Sequence, residues 1–487
     1  MPNKSLPNAD REFLRFVREA AFANPFSETR EVLDRTIAEV PRTTKILKED
    51  LLERTVASVR TRLAAIHPRS ALLSDYTDED RRLVSLALLF EIFHQHAPAM
   101  DRLIEAQMKQ GDVPVAVPYA SELLAALTAA GFAGALAARY LAIFYQLRRA
   151  YFFIGNGLIG ASPCMNRMRA EVWNNVFTVR SYWYDLYLWD CMEDFSTLLL
   201  GPTGVGKSRV AAAIGRSGFI PFDEKAMTFV ESFTKAFVSI NLSQYPETLI
   251  DSELFGHSRG AFTGAIQNHD GVFARCSPHG AIFLDEIGDV SLPLQVKLLG
   301  ILQDRTFTPV GSHSPRRFDG RVIAATNQPI DELRRRGTFR DDFYYRLCSH
   351  VIPLPSLKER LAEHPAELDE LLAAILENMI GSAPSEVVAE VREALEASLP
   401  KNYEWPGNVR ELEQAVRRTL LTGRYGGDAL AGIAPTGDLI DDVAALGMTA
   451  EELMQAYCKA MYRRHSNYEE VARRLNLDRR TVKRYVT

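Results

Sequence analysis

One stretch of the chain combines glycines, a lysine and a hydroxyl in an arrangement suited to holding phosphate groups. It follows the apolar run Leu198–Leu200 and precedes the helix-like run Arg209–Ile214. Its residues are Gly201, Pro202, Thr203, Gly204, Val205, Gly206, Lys207 and Ser208. They satisfy the pattern GxxxxGK[ST] between a strand and a helix, where backbone N–H groups and a helix N-terminus face the phosphates. We therefore predict an ATP site in which Lys207 meets the β- and γ-phosphates and Ser208 holds Mg²⁺, rather than a chance glycine-rich turn.

Two adjacent carboxylates supply the second half of such a site. Asp285 and Glu286 directly follow the apolar run Ala281–Leu284. Ligands of open α/β sheets bind at the carboxyl ends of the strands, so both acids are expected beside the phosphate loop. Asp285 would support Mg²⁺, and Glu286 is the candidate base that polarises the attacking water. The alternative is a solvent-exposed acidic pair at a strand end, which a complete phosphate loop makes the weaker interpretation.

A hexapeptide and its neighbours connect the chain to a known family. The segment Asp251–His257 reads DSELFGH. The hexapeptide GAFTGA follows it as Gly260, Ala261, Phe262, Thr263, Gly264 and Ala265. The sequence here resembles the sigma-54-dependent transcription activators, the bacterial enhancer-binding proteins of the AAA+ class. The resemblance covers about residues 157–424 and the C-terminal helices.

Four further segments match that family in its own order. They are Leu158–Pro163 at the opening of the domain, Ala324–Asn327 resembling sensor I, Phe339–Leu347 resembling the arginine-finger segment, and Trp405–Leu412 resembling sensor II. The chain departs from the family at Ser208, where the family usually has Glu. It also departs over Phe177–Phe195, which is longer and more aromatic than the family's linker.

The resemblance implies roles for single residues beyond the phosphate loop. Phe262 and Thr263 would contact sigma-54, whereas a core turn with Phe262 buried is the alternative from composition alone. Asn327 would sense the γ-phosphate, although a capping Asn before Pro329 also fits an isolated residue. Asn241, which follows the run Phe237–Ile240, resembles the switch Asn that holds the catalytic Glu away from water.

Arginines complete the set that the resemblance implies. Arg340 and Arg346 lie six positions apart and would act in trans on the nucleotide of a neighbouring subunit. Their alternative is a pair of surface salt bridges. Arg410 would contact nucleotide within its own subunit. Fingers supplied in trans require a homo-oligomer, and the family implies a dimer that assembles into a hexameric ring.

The last forty residues carry a local excess of positive charge. Lys459–Thr487 contains nine Lys or Arg and three Asp or Glu. Thr449 and Glu452 form a capping-box pattern for a first helix with a plausible dimer face, Asn467–Leu475 predicts a second helix, and Asp478 can cap a third. The third helix carries the candidate DNA-binding residues Arg479, Arg480, Thr481, Lys483 and Arg484. This order predicts a helix-turn-helix of the Fis type, with a solvated basic helix as the alternative.

Composition and hydrophobic patterning give the overall organisation. The 487 residues carry a net charge of −5, and the five cysteines are scattered, which disfavours a disulfide framework or a zinc site. No signal peptide or membrane span is evident, so we expect a cytoplasmic protein. Helical spacing dominates residues 9–150, and the apolar run Leu123–Ala138 predicts one buried helix. Apolar runs at Thr197–Leu200, Phe237–Ile240, Ala281–Leu284 and Arg321–Ala325 predict the strands of a parallel sheet.

The predicted fold class is multidomain, with α-helical regions on either side of a central α/β AAA+ domain. The boundaries are 1–156 for a helical N-terminal regulatory region, 157–355 for the α/β ATPase part, 356–424 for a helical lid, 425–447 for a linker and 448–487 for the helix-turn-helix. The function implied is an ATP-hydrolysing activator that binds upstream double-stranded DNA and remodels the closed complex of sigma-54 RNA polymerase, with the N-terminal region controlling ring assembly. The alternatives are a nucleotide-sensing DNA-binding repressor and an AAA+ remodeller of another protein.

Overall fold

The computed structural model describes residues 5–68, 72–400, 402–425, 450–465 and 467–486. They divide into two compact units, Met1–Val388 with Gly407–Glu413, and Ala389–Pro406 with Gln414–Thr487. Residues 426–447 of the predicted linker and the predicted capping residue Thr449 lie outside the described residues.

The N-terminal part of the first unit is built from helices. They are α1 Asn8–Phe22, α2 Glu28–Ile37, α3 Lys48–Ile66, α4 Asp78–Gln110, α5 Ala120–Ala129 and α6 Ala135–Gly155. Ser27 and Thr77 cap α2 and α4 by accepting backbone N–H groups of the first turn. The prediction of one helix over Leu123–Ala138 is wrong, because the chain turns at Gly131 and Gly134, whose φ angles are +88° and +59°. Such angles suit glycine and interrupt a right-handed helix.

A five-stranded parallel sheet forms the centre of the first unit. The strands along the chain are β1 Thr197–Leu200, β2 Phe222–Asp223, β3 Thr228–Phe229, β4 Phe237–Asn241, β5 Ala281–Asp285, β6 Thr306–Phe307, β7 Arg316–Arg317, β8 Arg321–Thr326 and β9 His350–Pro353. The order in the sheet is β4-β5-β8-β1-β9, and all four neighbouring pairs are parallel. The four predicted strands are confirmed, whereas the edge strand β9 and the short antiparallel pairs β2–β3 and β6–β7 were not predicted.

Helices surround the sheet and continue to the end of the chain. They are α7 Pro163–Phe177, α8 Ser181–Trp183, α9 Lys207–Gly215, α10 Glu247–Phe255, α11 Val272–Arg275, α12 Leu292–Asp304, α13 Ile330–Arg335, α14 Asp341–Leu347, α15 Leu357–Glu363, α16 Glu367–Ile380, α17 Ser385–Ser398, α18 Asn408–Thr422, α19 Ala450–His465, α20 Tyr468–Leu475 and α21 Arg479–Val486. Within the described ranges, no single helix is both long and apolar enough to cross a bilayer, although α16 and α17 taken together as a bent pair reach that length and composition.

The N-terminal helices and one face of the sheet share a hydrophobic core. Buried Phe144 and Phe153 of α6 belong to the same cluster as Ile214 of α9, Phe283 of β5 and Ile323 of β8. The opposite face of the sheet has its own cluster, and a third cluster lies among α1–α4. The segments predicted as a regulatory region and an ATPase part are therefore joined by continuous packing, not only by the chain.

Candidate functional site

The phosphate loop has the backbone that the motif requires. Gly204 and Gly206 adopt φ angles of +83° and +103°, and α9 begins immediately afterwards at Lys207. A Cβ at position 204 would overlap the carbonyl oxygen of Gly407, whereas a Cβ at 206 would meet no protein atom within 4 Å. Glycine is thus needed at 204 both for its backbone angle and for close approach to a second chain segment.

Lys207 is held inside this loop. Its side chain is buried, and its ammonium group donates to the carbonyl oxygens of Gly201 and Pro202 at 2.9 and 3.3 Å. Burial lowers the pKa of Lys207, while Glu286 and Asp285 oppose that shift. The neighbouring Ser208 is exposed at the start of α9. The loop therefore presents a fixed positive charge beside a free hydroxyl.

The predicted acids lie at the end of β5, facing the same cavity. Burial raises the pKa of Asp285 and of Glu286, and the charge of Lys207 acts against both shifts. Glu286 has a left-handed backbone with φ +56°, and its Oε2 is buried without a hydrogen-bond partner among the described residues. An unpaired carboxylate oxygen of raised basicity is suited to taking a proton from water.

The two asparagines occupy neighbouring strand ends. Asn327 follows β8, its Nδ2 donates to Thr203 Oγ1 at 2.9 Å, and its backbone N–H lowers the pKa of Glu286. Asn241 ends β4 and pairs in register with Asp285. Its Oδ1 accepts from the backbone N–H and hydroxyl of Ser243 at 3.0 and 2.8 Å. In this structure Asn241 thus bonds its own turn, and Asn327 bonds the phosphate loop through Thr203.

A cavity of about 320 Å³ brings most of the predicted nucleotide residues together, but Gly201, Pro202 and Asn327 do not line it. Residues 203–208 of the phosphate loop line it with Asn241, Asp285, Glu286 and Arg410, and its apolar wall includes Leu158, Met165 and Met168. The sequence indicated the domain opening at Leu158 but gave the two methionines no role, although their spacing of three places both on one face of α7. Asn408 fixes the segment that carries Arg410, since its Nδ2 donates to the carbonyl oxygen of Thr203 at 3.0 Å.

These residues fit a nucleotide with a magnesium ion. The loop has a buried cation and an exposed hydroxyl, and Glu286, whose Oε2 has no hydrogen-bond partner among the described residues, lines the cavity. Across the described residues no group of three or more His, Cys, Asp or Glu could hold a metal by itself. Mg²⁺ in phosphate sites usually takes only one or two protein ligands, a requirement that Ser208 and Asp285 meet.

Arg340 and Arg346 lie on the surface and do not line the cavity. Arg340 forms an ion pair with Asp342 at 2.7 Å, and Arg346 donates to the carbonyl oxygen of Leu302 at 2.9 Å. Both guanidinium groups therefore remain accessible at the surface of the subunit that carries them.

The GAFTGA segment forms an exposed loop. Phe262 is 43% exposed and Thr263 is exposed, so the buried-core alternative is not what the structure shows. Gly260 and Gly264 have φ angles of +80° and +102°, and paired backbone hydrogen bonds between His257 and His269 close the neck of the loop. The Phe262 ring forms a T-shaped pair with the His257 ring, with centroids 4.9 Å apart.

The last two helices lie where the sequence predicted them. Asn467 caps α20, Asn476 turns the chain with φ +52°, and Asp478 accepts the backbone N–H of Arg480 at 2.7 Å before α21. The basic side chains of α21 are exposed, while Val482 on the opposite side is buried. Arg479 also forms an ion pair with Glu469 at 3.0 Å.

Comparison with known proteins identifies the family. Residues 190–353 match the Sigma-54 interaction domain family. The transcriptional regulatory protein ZraR of Klebsiella oxytoca is 33% identical over 332 residues, which are 67% of this chain and 67% of ZraR. The chain belongs to the sigma-54-dependent transcriptional activators.

Other members and a solved structure show how far the likeness extends. Nitrogen fixation protein AnfA of Azotobacter vinelandii is 35% identical over 295 residues, 59% of this chain and 51% of AnfA. This activator thus spans about half the length of AnfA. The crystal structure of NtrX from Brucella abortus has 22% sequence identity and a TM-score of 0.41, over 75% of this chain and 79% of NtrX.

Proposed function

We propose that this activator hydrolyses ATP, binds upstream DNA and remodels the closed complex of sigma-54 RNA polymerase in the bacterial cytosol. The exposed Phe262–Thr263 tip carries the proposal. The loop holds an exposed hydroxyl and a largely exposed aromatic ring between two glycines, which leaves both available to a partner protein.

The chain's own residues support hydrolysis at the nucleotide site. Lys207 would meet the phosphate oxygens, and Ser208 and Asp285 would hold Mg²⁺, which would neutralise charge on the phosphates. Glu286 would take a proton from the attacking water. Asn327 bonds Thr203 of the loop, and its backbone N–H lowers the pKa of Glu286, so it would couple the base to the state of the phosphates.

Hydrolysis also requires a second subunit in this proposal. Arg340 and Arg346 are exposed away from their own cavity, which supports a role in the site of a neighbour. The resulting assembly is a homo-oligomeric ring of AAA+ domains, each with a helical lid that carries Arg410. Asn241 would switch between Ser243 and the catalytic carboxylate as the nucleotide changes.

The C-terminal unit would supply DNA binding. Helix α21 presents Arg479, Arg480, Lys483 and Arg484 behind the Asp478 cap, which supports a recognition helix whose first residues reach base edges and whose later cations meet phosphates. Thr481 is partly buried beside them. Exposed Leu453 and Tyr457 on α19 support a dimer contact.

Open-complex formation with purified sigma-54 polymerase tests the proposal. The wild-type chain should open promoter DNA only with ATP. Phe262→Ala should hydrolyse ATP at a near-normal rate and open none, whereas the control Tyr187→Ala, which also removes an exposed aromatic ring, should behave as wild type. Hydrolysis without opening by the wild-type chain would indicate a remodeller of another protein, and DNA binding without hydrolysis would indicate a repressor.

A further inference from the structure

Two side chains of helix α6 in the N-terminal region donate hydrogen bonds to the segment that follows the phosphate-binding helix α9. The guanidinium of Arg149 donates to the carbonyl oxygens of Arg216 and Gly218, both at 2.7 Å. Between them, Gln146 Nε2 donates to the carbonyl oxygen of Ser217 at 2.9 Å. Three consecutive carbonyls that follow α9 thus have partners from another part of the chain.

The chemistry of a helix C-terminus explains why these side chains suit the position. The carbonyls of residues 216–218 lie just beyond the C-terminal end of α9, where the helix dipole is negative, so a cation with several donors stabilises them. Arg149 is fully buried, and the rings of Tyr145 and Phe233 lie over its guanidinium at 4.9 and 5.7 Å. Burial lowers the pKa of Arg149 to about 10, and no ion pair of Arg149 is found in the described part of the chain.

A second contact, from the segment before β1, fixes the orientation of the Gln146 side chain. The hydroxyl of buried Tyr184 donates to Gln146 Oε1 at 2.8 Å, which sets the direction of the amide. Tyr184 belongs to the long aromatic segment before β1 that distinguishes this chain from its family. That segment therefore has a defined contact, since it orients one of the two side chains that hold α9.

The other end of α9 is the phosphate site. Helix α9 has nine residues, which span about 13 Å, and it begins at Lys207. Because these nine residues form one continuous helix, we expect a displacement at Arg216 to shift Lys207 and Ser208. The N-terminal helices consequently reach the nucleotide through a single intervening element.

We propose that Arg149 and Gln146 are positioning residues for the nucleotide site. The N-terminal helices regulate ATP binding through the hydrogen bonds of these two side chains to the carbonyl oxygens of residues 216–218. The inference rests on the proposed function, because it concerns the regulation of the same ATP site. The N-terminal helices would then control the ATP site of their own subunit in addition to controlling ring assembly.

The test measures the Kd of a non-hydrolysable ATP analogue with Mg²⁺ in the full chain. Arg149→Gln should raise that Kd about tenfold, and Gln146→Leu about threefold. Arg149→Lys should recover part of the affinity, because an ammonium reaches one of the two carbonyls. Arg148→Gln is the matched control, since Arg148 is the adjacent residue but pairs with Asp101 of α4 at 2.6 Å.

A second control separates positioning from general loss of stability. Leu14→Ala removes a fully buried side chain from the cluster among α1–α4, far along the chain from α9, and should lower the unfolding temperature without changing the Kd. Equal loss of affinity in Leu14→Ala and Arg149→Gln would overturn the inference, as would an unchanged Kd in Arg149→Gln. A wild-type chain with no more affinity than Lys207→Ala would instead refute the proposed function itself.

Discussion

Substituting alanine at the two left-handed glycines of the phosphate loop should have unequal consequences. Both Gly204→Ala and Gly206→Ala force an L-residue into a positive φ, at a cost of about 1–2 kcal/mol each. Only at 204 does the new Cβ overlap the carbonyl oxygen of Gly407, and the two must separate by about 1 Å to reach an ordinary carbon–oxygen contact. Overpacking of this kind adds about 1–3 kcal/mol.

The free energy of unfolding should thus fall by about 2–5 kcal/mol in Gly204→Ala and by about 1–2 kcal/mol in Gly206→Ala. Scanning calorimetry without nucleotide measures the difference, and the relevant transition is the one that Mg²⁺·ATP shifts upward in the wild-type chain. Nucleotide must be absent, because a methyl group at 206 faces open space that bound phosphates would fill. Equal shifts in the two variants would refute the steric argument.

Four other changes have defined outcomes. Glu286→Gln should keep its ATP affinity within about threefold and lose about 10²–10⁴-fold in kcat, and the raised pKa of Glu286 means that wild-type turnover falls on acidification at a higher pH than an ordinary glutamate would give. Arg346→Ala should bind ATP but hydrolyse it about 10³-fold more slowly, and mixing it with Glu286→Gln should restore some turnover unless the site is not shared. Arg479→Ala should weaken specific DNA binding by about 1–3 kcal/mol and relax sequence preference, which competition with non-specific DNA would show. Asp80→Asn should lower the free energy of unfolding by about 1–3 kcal/mol at pH 7. Its partner Arg11 holds the pKa of Asp80 at about 2. The difference in the free energy of unfolding between the wild-type chain and Asp80→Asn should therefore disappear as the pH falls from about 4 to 2.

Local sequence patterns predicted the phosphate loop and the strands β1, β4, β5 and β8, because both depend on short-range rules. The loop needs glycines at fixed positions, and a strand covered on both faces is a short, wholly apolar run such as Ala281–Leu284. The edge strand β9 was not predicted because His350 and Pro353 interrupt its apolar pattern. The turn after Ala129 was not predicted because apolar composition alone does not show that Gly131 and Gly134 take positive φ angles.

Contacts between distant parts of the chain could not be predicted. Arg149 lies in a largely buried helix, and nothing near it in sequence indicates that it binds carbonyls at 216 and 218. Likewise, the side chain that Asn241 contacts depends on the local turn at Ser243, which the family resemblance does not describe. The roles of single residues in the site remain predictions for the experiments above.

The shared core of α6 and the sheet has a consequence for synthesis on the ribosome. The N-terminal helices leave the ribosome first, but their cluster includes residues as late as Ile352 and Leu354. At about 5–20 residues per second, about 10–40 s would pass between the synthesis of α6 and the synthesis of the last strand that covers its apolar face. We expect nascent chains in that interval to present Phe144 and Phe153 to chaperones, and slower elongation before residue 354 to increase aggregation.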